Sequence, residues 1–300
     1  MTPAQLQCVL AVAADLHFTR AAAQLGMAQS ALSHQVATLE AELGTRLFER
    51  TSRRVRLTAA GAALLPRART VLAELDRLRT DVVAAGGAVA GRLRIGTVPT
   101  LPEVRLADVL ADLLRHHPAV RAHVAVQGSD TTLAGVADGS LDVGFVGLAM
   151  AEPPAGVERR LLAVERHVAV VAAGDPWRGR RRVRLRDVAA RPCVDFPAGT
   201  GGRRQTDAAF AAASLVRDVV VESDDVGLVL DLVRRGTGTA LLPASAVLDR
   251  AGLHTVAVVD GPARRSSVLH AGDGASAATR AFLAVLDRHL PAGPGPAARD

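Results

Sequence analysis

The chain has 300 residues, a formal net charge of +6, an apolar share of 49% and only 2% aromatic residues. The apolar share excludes wholesale disorder, and the length suits two domains or three lobes better than a single core. Scarce aromatics argue against stacking platforms for single-stranded nucleic acid, while the basic balance fits an anionic partner without identifying one.

Lysine is absent, so every fixed positive side chain is an arginine. The first basic side chain is Arg20, which leaves no charged n-region for a secretory signal, and no uncharged apolar run approaches the roughly 18 residues of a membrane span. The two cysteines, Cys8 and Cys193, form no CxxC pair, so a reduced, cytoplasmic protein is expected.

In chain order, Leu6, Val9, Leu10 and Ala13 predict a first helix. Thr19 is the expected N-cap of a second, with Ala22, Ala23 and Leu25 facing inward and Gly26 ending it. A third follows "MAQS", buried through Leu32, Val36 and Leu39. Two short helices joined by a Gly-containing turn make a helix-turn-helix. Gln29, Ser30, Ser33 and His34 occupy the opposite face at the N-terminal end of the third helix, the end that enters a major groove in such motifs. Glutamine can bond an adenine edge and serine can serve bases or phosphates. Next, "TRLFERTSRRVRLT" (45–58) sets Arg46, Arg50, Arg53, Arg54 and Arg56 against Glu49 in a turn leading into a strand, a basic wing for phosphates or a minor groove. This domain is placed at 1–58.

Residues 59–90 read as a linker and dimerisation helix. Leu64, Ala68, Val71, Leu75, Leu78 and Val82 are spaced as a heptad seam, which calls for a partner helix, and a second copy of the chain is its simplest supplier. Pro66 is expected in the first turn, where it is tolerated.

From "RLRIG" (92–96) onward, β-type runs alternate with helical segments: "LRIG", a helix over 103–115, "AHVAVQ", a helix over 130–138, "DVGFV" and "HVAVVA". That is the rhythm of βαβ units. Strand-to-helix turns offer free N–H groups and hydroxyls to a carboxylate or other small anion, which singles out Thr97, Thr100, Ser129, Phe196, Thr200 and Arg203. The end, "PAGPGPAARD", is expected to be a disordered tail over 292–300.

The stretch "FTRAAAQLGMAQSALSHQVATLEAELGTRLFERTSRRVRLTAAG" (18–61) resembles the winged helix-turn-helix of LysR-type transcriptional regulators. The likeness is carried by Phe18-Thr19, Ala21-Ala22, Gln29-Ser30, Ser33, Leu39-Glu40, Leu43-Gly44, Leu47-Phe48, Arg50, Leu57-Thr58 and Gly61. Val9 departs from an aromatic usual in the family, and His17 from a serine. "LDVGFVG" and "VRRGTGTALLPAS" (233–245) extend the resemblance over nearly the whole chain. It implies that Gln29, Ser33 and His34 face DNA and that Thr19, Arg50, Arg53 and Arg54 meet phosphate or the minor groove. It also implies an effector domain over 91–291 of two α/β lobes like those of periplasmic binding proteins. Lobe one is placed at 91–162 with 266–291 and lobe two at 163–265, with the ligand between them. The function so implied is effector-modulated binding of double-stranded promoter DNA by a homodimer, extending to a homotetramer. A small-molecule co-inducer is the only cofactor-like component, and RNA polymerase is a further partner if the protein activates.

Catalytic signatures are missing from the sequence: there is no G-x-S-x-G elbow, H-E-x-x-H or Walker loop. The competing reading is a small-molecule-binding protein or metabolic enzyme whose basic N-terminal domain serves assembly. The salt dependence of DNA affinity separates the two.

Overall fold

The computed structural model describes residues 1–50, 54–85, 89–101, 104–147, 153–247, 251–272 and 274–290, so Arg53 and the tail expected at 292–300 lie outside the described residues. The chain divides into two compact units, Met1–Gly91 with Asp138–Ser140, and the remainder.

The first unit begins with α1 (Pro3–Asp15), whose N-terminus is closed by a reciprocal capping box. Thr2 Oγ1 accepts from the Gln5 N–H at 3.3 Å, and Gln5 Oε1 accepts from the Thr2 N–H at 2.7 Å. Helix α2 (Phe18–Gln24) follows, and α3 (Gln29–Leu43) ends on Gly44 in the left-handed region at φ 66°. Leu6, Val9 and Val12 of α1 meet Leu32, Val36 and Leu39 of α3 in one core, which Phe18 and Phe48 join edge to face at 5.9 Å. Two expectations for α2 are corrected. The N-cap is His17, whose Nδ1 accepts from the Arg20 N–H at 3.4 Å, so Thr19 sits inside the helix and is exposed. The inward face is Phe18, Ala21 and Ala22, while Ala23 and Leu25 point to solvent. A helix this short shows too few turns to fix its face, and the large Phe18 decides it.

Strands β1 (Phe48–Arg50) and β2 (Val55–Leu57) pair antiparallel as the wing, with Phe48 opposite Leu57. Helix α4 (Ala59–Ala85) starts at Thr58, whose hydroxyl accepts from the Gly61 N–H at 3.0 Å and donates to the Arg46 carbonyl at 2.8 Å. Pro66 lies inside α4 rather than in its first turn, so the helix forgoes one backbone hydrogen bond there. The heptad seam is divided. Ala68 is buried and Leu64 packs beside it in this unit's own core, Leu75 is half-buried, and Val71, Leu78 and Val82 stand 49%, 61% and 68% exposed.

The second unit is an α/β body of two lobes. Its elements are β3 (Gly91–Thr97), α5 (Leu106–His116), β4 (Val120–Val126), α6 (Ser129–Ala137), β5 (Val143–Val146), β6 (Glu158–Ala172), β7 (Arg182–Val183), α7 (Leu185–Ala189), β8 (Pro192–Asp195), α8 (Gly201–Ala212), β9 (Asp218–Glu222), α9 (Val226–Arg234), β10 (Ala240–Pro243), β11 (Leu253–Val258), β12 (Ala263–His270) and α10 (Ala277–His289). The helix expected from residue 103 therefore begins at Leu106. The main sheet runs β4-β3-β5-β12-β6-β11-β7, with β10 also pairing to β6, while β8 and β9 form a separate parallel pair. Strand β6 is the spine. Its first half pairs with β12 in lobe one, and its second half carries β10 and β11 in lobe two. The β6–β12 register shifts between Ser266 and Ser267, which pair with Ala163 and Leu161 and leave Leu162 as the extra residue.

Gly61 shows how tightly the wing is fitted. A Cβ there would stand 2.3 Å from the Leu47 carbonyl oxygen and 2.7 Å from Leu57 Cδ1. Gly61→Ala is therefore expected to destabilise the first unit by about 1–3 kcal/mol, read as a lowered thermal midpoint, because backbone and not a mobile side-chain tip is in the way.

Candidate nucleic-acid interface and ligand cleft

On α3, Gln29, Ser30 and His34 are exposed and Ser33 is half-buried; Gln29 continues the stripe of Leu32 and Val36 at the exposed N-terminal end of the helix, while Ser30 and His34 lie on the opposite side. Ala28, the N-cap, makes no side-chain hydrogen bond to the helix. In the wing, Arg46, Arg54 and Arg56 are exposed. Arg50 is different. Its guanidinium donates to Ser33 Oγ at 3.1 Å and to Glu40 Oε2 at 3.3 Å, and stacks over the Phe18 ring at 4.3 Å. Glu40 also accepts the N–H groups of Leu47 and Phe48 at 2.8 and 3.1 Å, so one carboxylate fastens the wing to the helix. Arg50, expected at phosphate or the minor groove, thus spends two of its nitrogens on hydrogen bonds within the domain.

In the second unit a cavity of about 290 Å³ opens between the lobes. Thr100, Ser129, Phe196 and Thr200 line it, as expected from sequence, but Thr97 and Arg203 do not. Thr97 is buried, and its carbonyl accepts from the Gln127 N–H at 2.8 Å. Arg203 is turned away from the cavity toward Asp207 at 2.9 Å, Glu222 at 2.6 Å and the Phe196 carbonyl at 2.9 Å. The Thr97 hydroxyl donates instead to the adjacent Val98 carbonyl at 3.4 Å, and Arg203 is claimed by acidic partners as far off in sequence as Glu222.

Among the lining residues that the sequence reading did not single out are His167, Gln205, Asp224, Arg264 and Gly147. Arg264 is buried in β12. It donates to both the hydroxyl and the carbonyl of Thr100 and to Ser266 Oγ, and lies 3.8 Å from Glu165. Gly147 is required beside it, since a Cβ there would come within 2.7 Å of Arg264 Nε. The Gly147 N–H donates to Ser129 Oγ at 3.1 Å, and its carbonyl accepts from Gln205 Nε2. Gln205 on α8 thereby reaches across the cleft, and so does Arg204, which pairs with Asp130 on α6. The one sequence signal for His167 and Arg264 is a polar residue breaking an otherwise β-type run.

His167 donates from Nδ1 to the Pro262 carbonyl at 3.2 Å, which leaves Nε2 as the acceptor of a neutral ring. Burial drives its pKa down to about 4, so the ring is uncharged at neutral pH. Because the folded-state value lies below the unfolded one, the unfolded chain binds the proton first as pH falls from about 6.5 towards 4. Stability is therefore lost over that window by up to about 3 kcal/mol, and His167→Gln should flatten the loss in urea titrations at pH 7 and pH 4.5.

Comparisons with known proteins agree with this architecture. The sequence profile described as "Bacterial regulatory helix-turn-helix protein, lysR family" matches residues 3–62, and that of the "LysR substrate binding domain" matches residues 86–291. The HTH-type transcriptional regulator ShiR of Corynebacterium glutamicum (strain R) is 35% identical over 239 residues, covering 79% of this chain and 80% of ShiR. The dual regulator OxyR of Escherichia coli (strain K12) is 32% identical over 248 residues, covering 81% and 79%. Among solved structures, a full-length OxyR variant from Pseudomonas aeruginosa superposes with a TM-score of 0.71 at 24% identity, covering 97% of both chains. CbnR in complex with its target DNA gives 0.66 at 24% identity, covering 97% of this chain and all of CbnR (100%). Two profiles that together span nearly the whole sequence place the chain in the LysR family of bacterial transcriptional regulators.

Proposed function

We propose that the protein reads a promoter sequence through α3 and the wing, and that a small molecule in the inter-lobe cleft modulates this binding. The observation that carries the reading is the exposed face of Gln29, Ser30 and His34 beside the exposed wing arginines Arg46, Arg54 and Arg56. Uncharged hydrogen-bonding groups suit base edges, and the arginines suit phosphates. Val71, Leu78 and Val82 on α4 form the seam for a second copy of the chain, since their exposure leaves apolar surface that a partner helix would cover. Leu64 and Ala68 serve the local core instead.

The effector is a small polar molecule. The cavity lies at the lower end of small-ligand volumes, with apolar walls at Val98, Val126, Phe196 and Leu241 and hydroxyls at Thr100 and Ser129. Arg264, the fixed cation among the described lining residues, is already bonded to Thr100 and Ser266. His167 Nε2 favours a ligand that presents a hydrogen-bond donor.

Several relatives are named hydrogen peroxide-inducible genes activators, among them one from Mycobacterium avium at 32% identity. This chain's own thiols do not favour that signal. Cys8 and Cys193 are both buried, neither lines the cleft, and burial pushes the Cys193 thiol up to about 11. Cys193 also donates to the carbonyls of Val188 and Arg191.

Fluorescence anisotropy with the DNA upstream of the protein's own gene tests the central reading. Affinity should exceed that for scrambled DNA and fall steeply with salt. Gln29→Ala should relax base preference at one position per half-site by about 1–3 kcal/mol, whereas Arg54→Ala should weaken all sequences alike and lower the salt slope by about one. A flat salt response, or equal loss on every sequence from Gln29→Ala, counts against it. A Cys8→Ser/Cys193→Ala double variant should bind that DNA as the parent does, with or without prior peroxide treatment. A peroxide effect present in the parent and lost in the variant would reinstate thiol sensing.

A further inference from the structure

The geometry points to Arg50 as a positioning residue for sequence reading: it holds the Ser33 hydroxyl as a hydrogen-bond donor aimed at an acceptor on a base edge, and does not itself bind phosphate. The inference rests on the DNA-reading function proposed above and specifies how one of its groups works.

The guanidinium of Arg50 is engaged within its own unit on two edges and one face. Two of its nitrogens are bonded, one to Ser33 Oγ and one to Glu40, and its flat face lies on Phe18. Its side chain is only one-third exposed (33%), and Glu40 only 14%. Glu40 in turn is held by the Leu47 and Phe48 N–H groups, so its position is set by backbone. The chain of restraint therefore runs from wing backbone through Glu40 and Arg50 to a side chain on the reading face of α3.

A serine hydroxyl has one hydrogen and two lone pairs. The guanidinium of Arg50 occupies a lone pair and polarises the oxygen, which weakens its remaining acceptor capacity and strengthens its O–H as a donor. Without that contact the hydroxyl could rotate to accept from the amino groups of adenine or cytosine as readily as donate. With it, the favoured partners in the major groove are guanine O6 or N7, adenine N7 and thymine O4. Lysine could not replace Arg50, because a point ammonium cannot bridge Ser33 and Glu40 while lying flat on a ring.

The test uses the full chain and the consensus duplex that it recovers from a random-sequence library. Specific and non-specific affinities are measured over a range of salt concentrations for the parent, Arg50→Gln, Arg50→Lys, Ser33→Ala and the Arg50→Gln/Ser33→Ala pair. The expected result is a loss of about tenfold in the specific-to-non-specific ratio for each single variant, Lys included, with the salt slope unchanged. The double variant should lose no more than either single one, the mark of two groups acting as a unit. A salt slope lowered by about one in Arg50→Gln and restored in Arg50→Lys would identify a phosphate contact and overturn the inference, as would additive losses. Should Arg50→Gln fail to fold, Ser33→Ala alone decides: its loss must fall on one base position per half-site, and an equal loss for every sequence overturns the inference. A parent protein that enriches no sequence from the library removes the DNA-reading function itself, whereas enrichment with unaltered ratios in the variants removes this inference alone.

Discussion

The Glu40 carboxylate is the joint on which the DNA-binding head depends. Three groups converge on it, the Leu47 and Phe48 N–H groups and the Arg50 guanidinium, and all belong to the wing while Glu40 belongs to the recognition helix. Buried N–H groups at the start of a short two-stranded hairpin need acceptors that so small a sheet cannot supply. A carboxylate from the neighbouring helix supplies them and sets the register between helix and wing. Phe48 then packs on Phe18 and closes the core around α1 to α3.

The cleft is governed by a different economy of charge. Its arginine lies beneath Gly147 and is matched by Thr100, Ser266 and the nearby Glu165, and its histidine is neutral. Fixing the Thr100 hydroxyl from behind with Arg264 mirrors what Arg50 does to Ser33. In each unit an arginine donates to a hydroxyl, Arg50 to Ser33 and Arg264 to Thr100. The difference lies in burial, since Arg264 is almost fully enclosed, and the half-buried Glu165 beside it is also held by the N–H and hydroxyl of Ser245.

What the sequence disclosed follows the range of the forces involved. Leu32, Val36 and Leu39 announced their buried face because helical period is local, and Gly26 marked a helix end because positive φ is a local demand. The placing of Thr100, Ser129, Phe196 and Thr200 in one cleft was also legible, since strand-to-helix turns gather at one end of a parallel sheet. The partners of Arg50 and Arg203 were not legible for one reason: an arginine's partner is settled by three-dimensional proximity, and Glu40 and Glu222 are ten and nineteen residues away. Thr19 has the side chain of a cap, yet α2 starts earlier, with His17 as its cap and Phe18 buried. Arg264 and His167 were hidden because burying a polar side chain in a strand depends on contacts with residues such as Thr100 and Pro262, far off in sequence.

The irregularity in the β6–β12 ladder bears on how much a ligand must do. On either side of Leu162 the pairing is regular, towards His270 in one lobe and towards Ala263 in the other. A bulge bends and twists a strand pair locally while the flanking rungs stay bonded. A change of angle between the lobes can thus be taken up by backbone torsions at one residue, with no rung of the ladder broken. The cross-cleft contacts that such a change would have to remake are those of Arg204 with Asp130 and of Gln205 with the Gly147 carbonyl. For the proposed effector to act through such a change, it would have to bind one lobe angle more tightly than another, since a ligand shifts an equilibrium only by its difference in affinity.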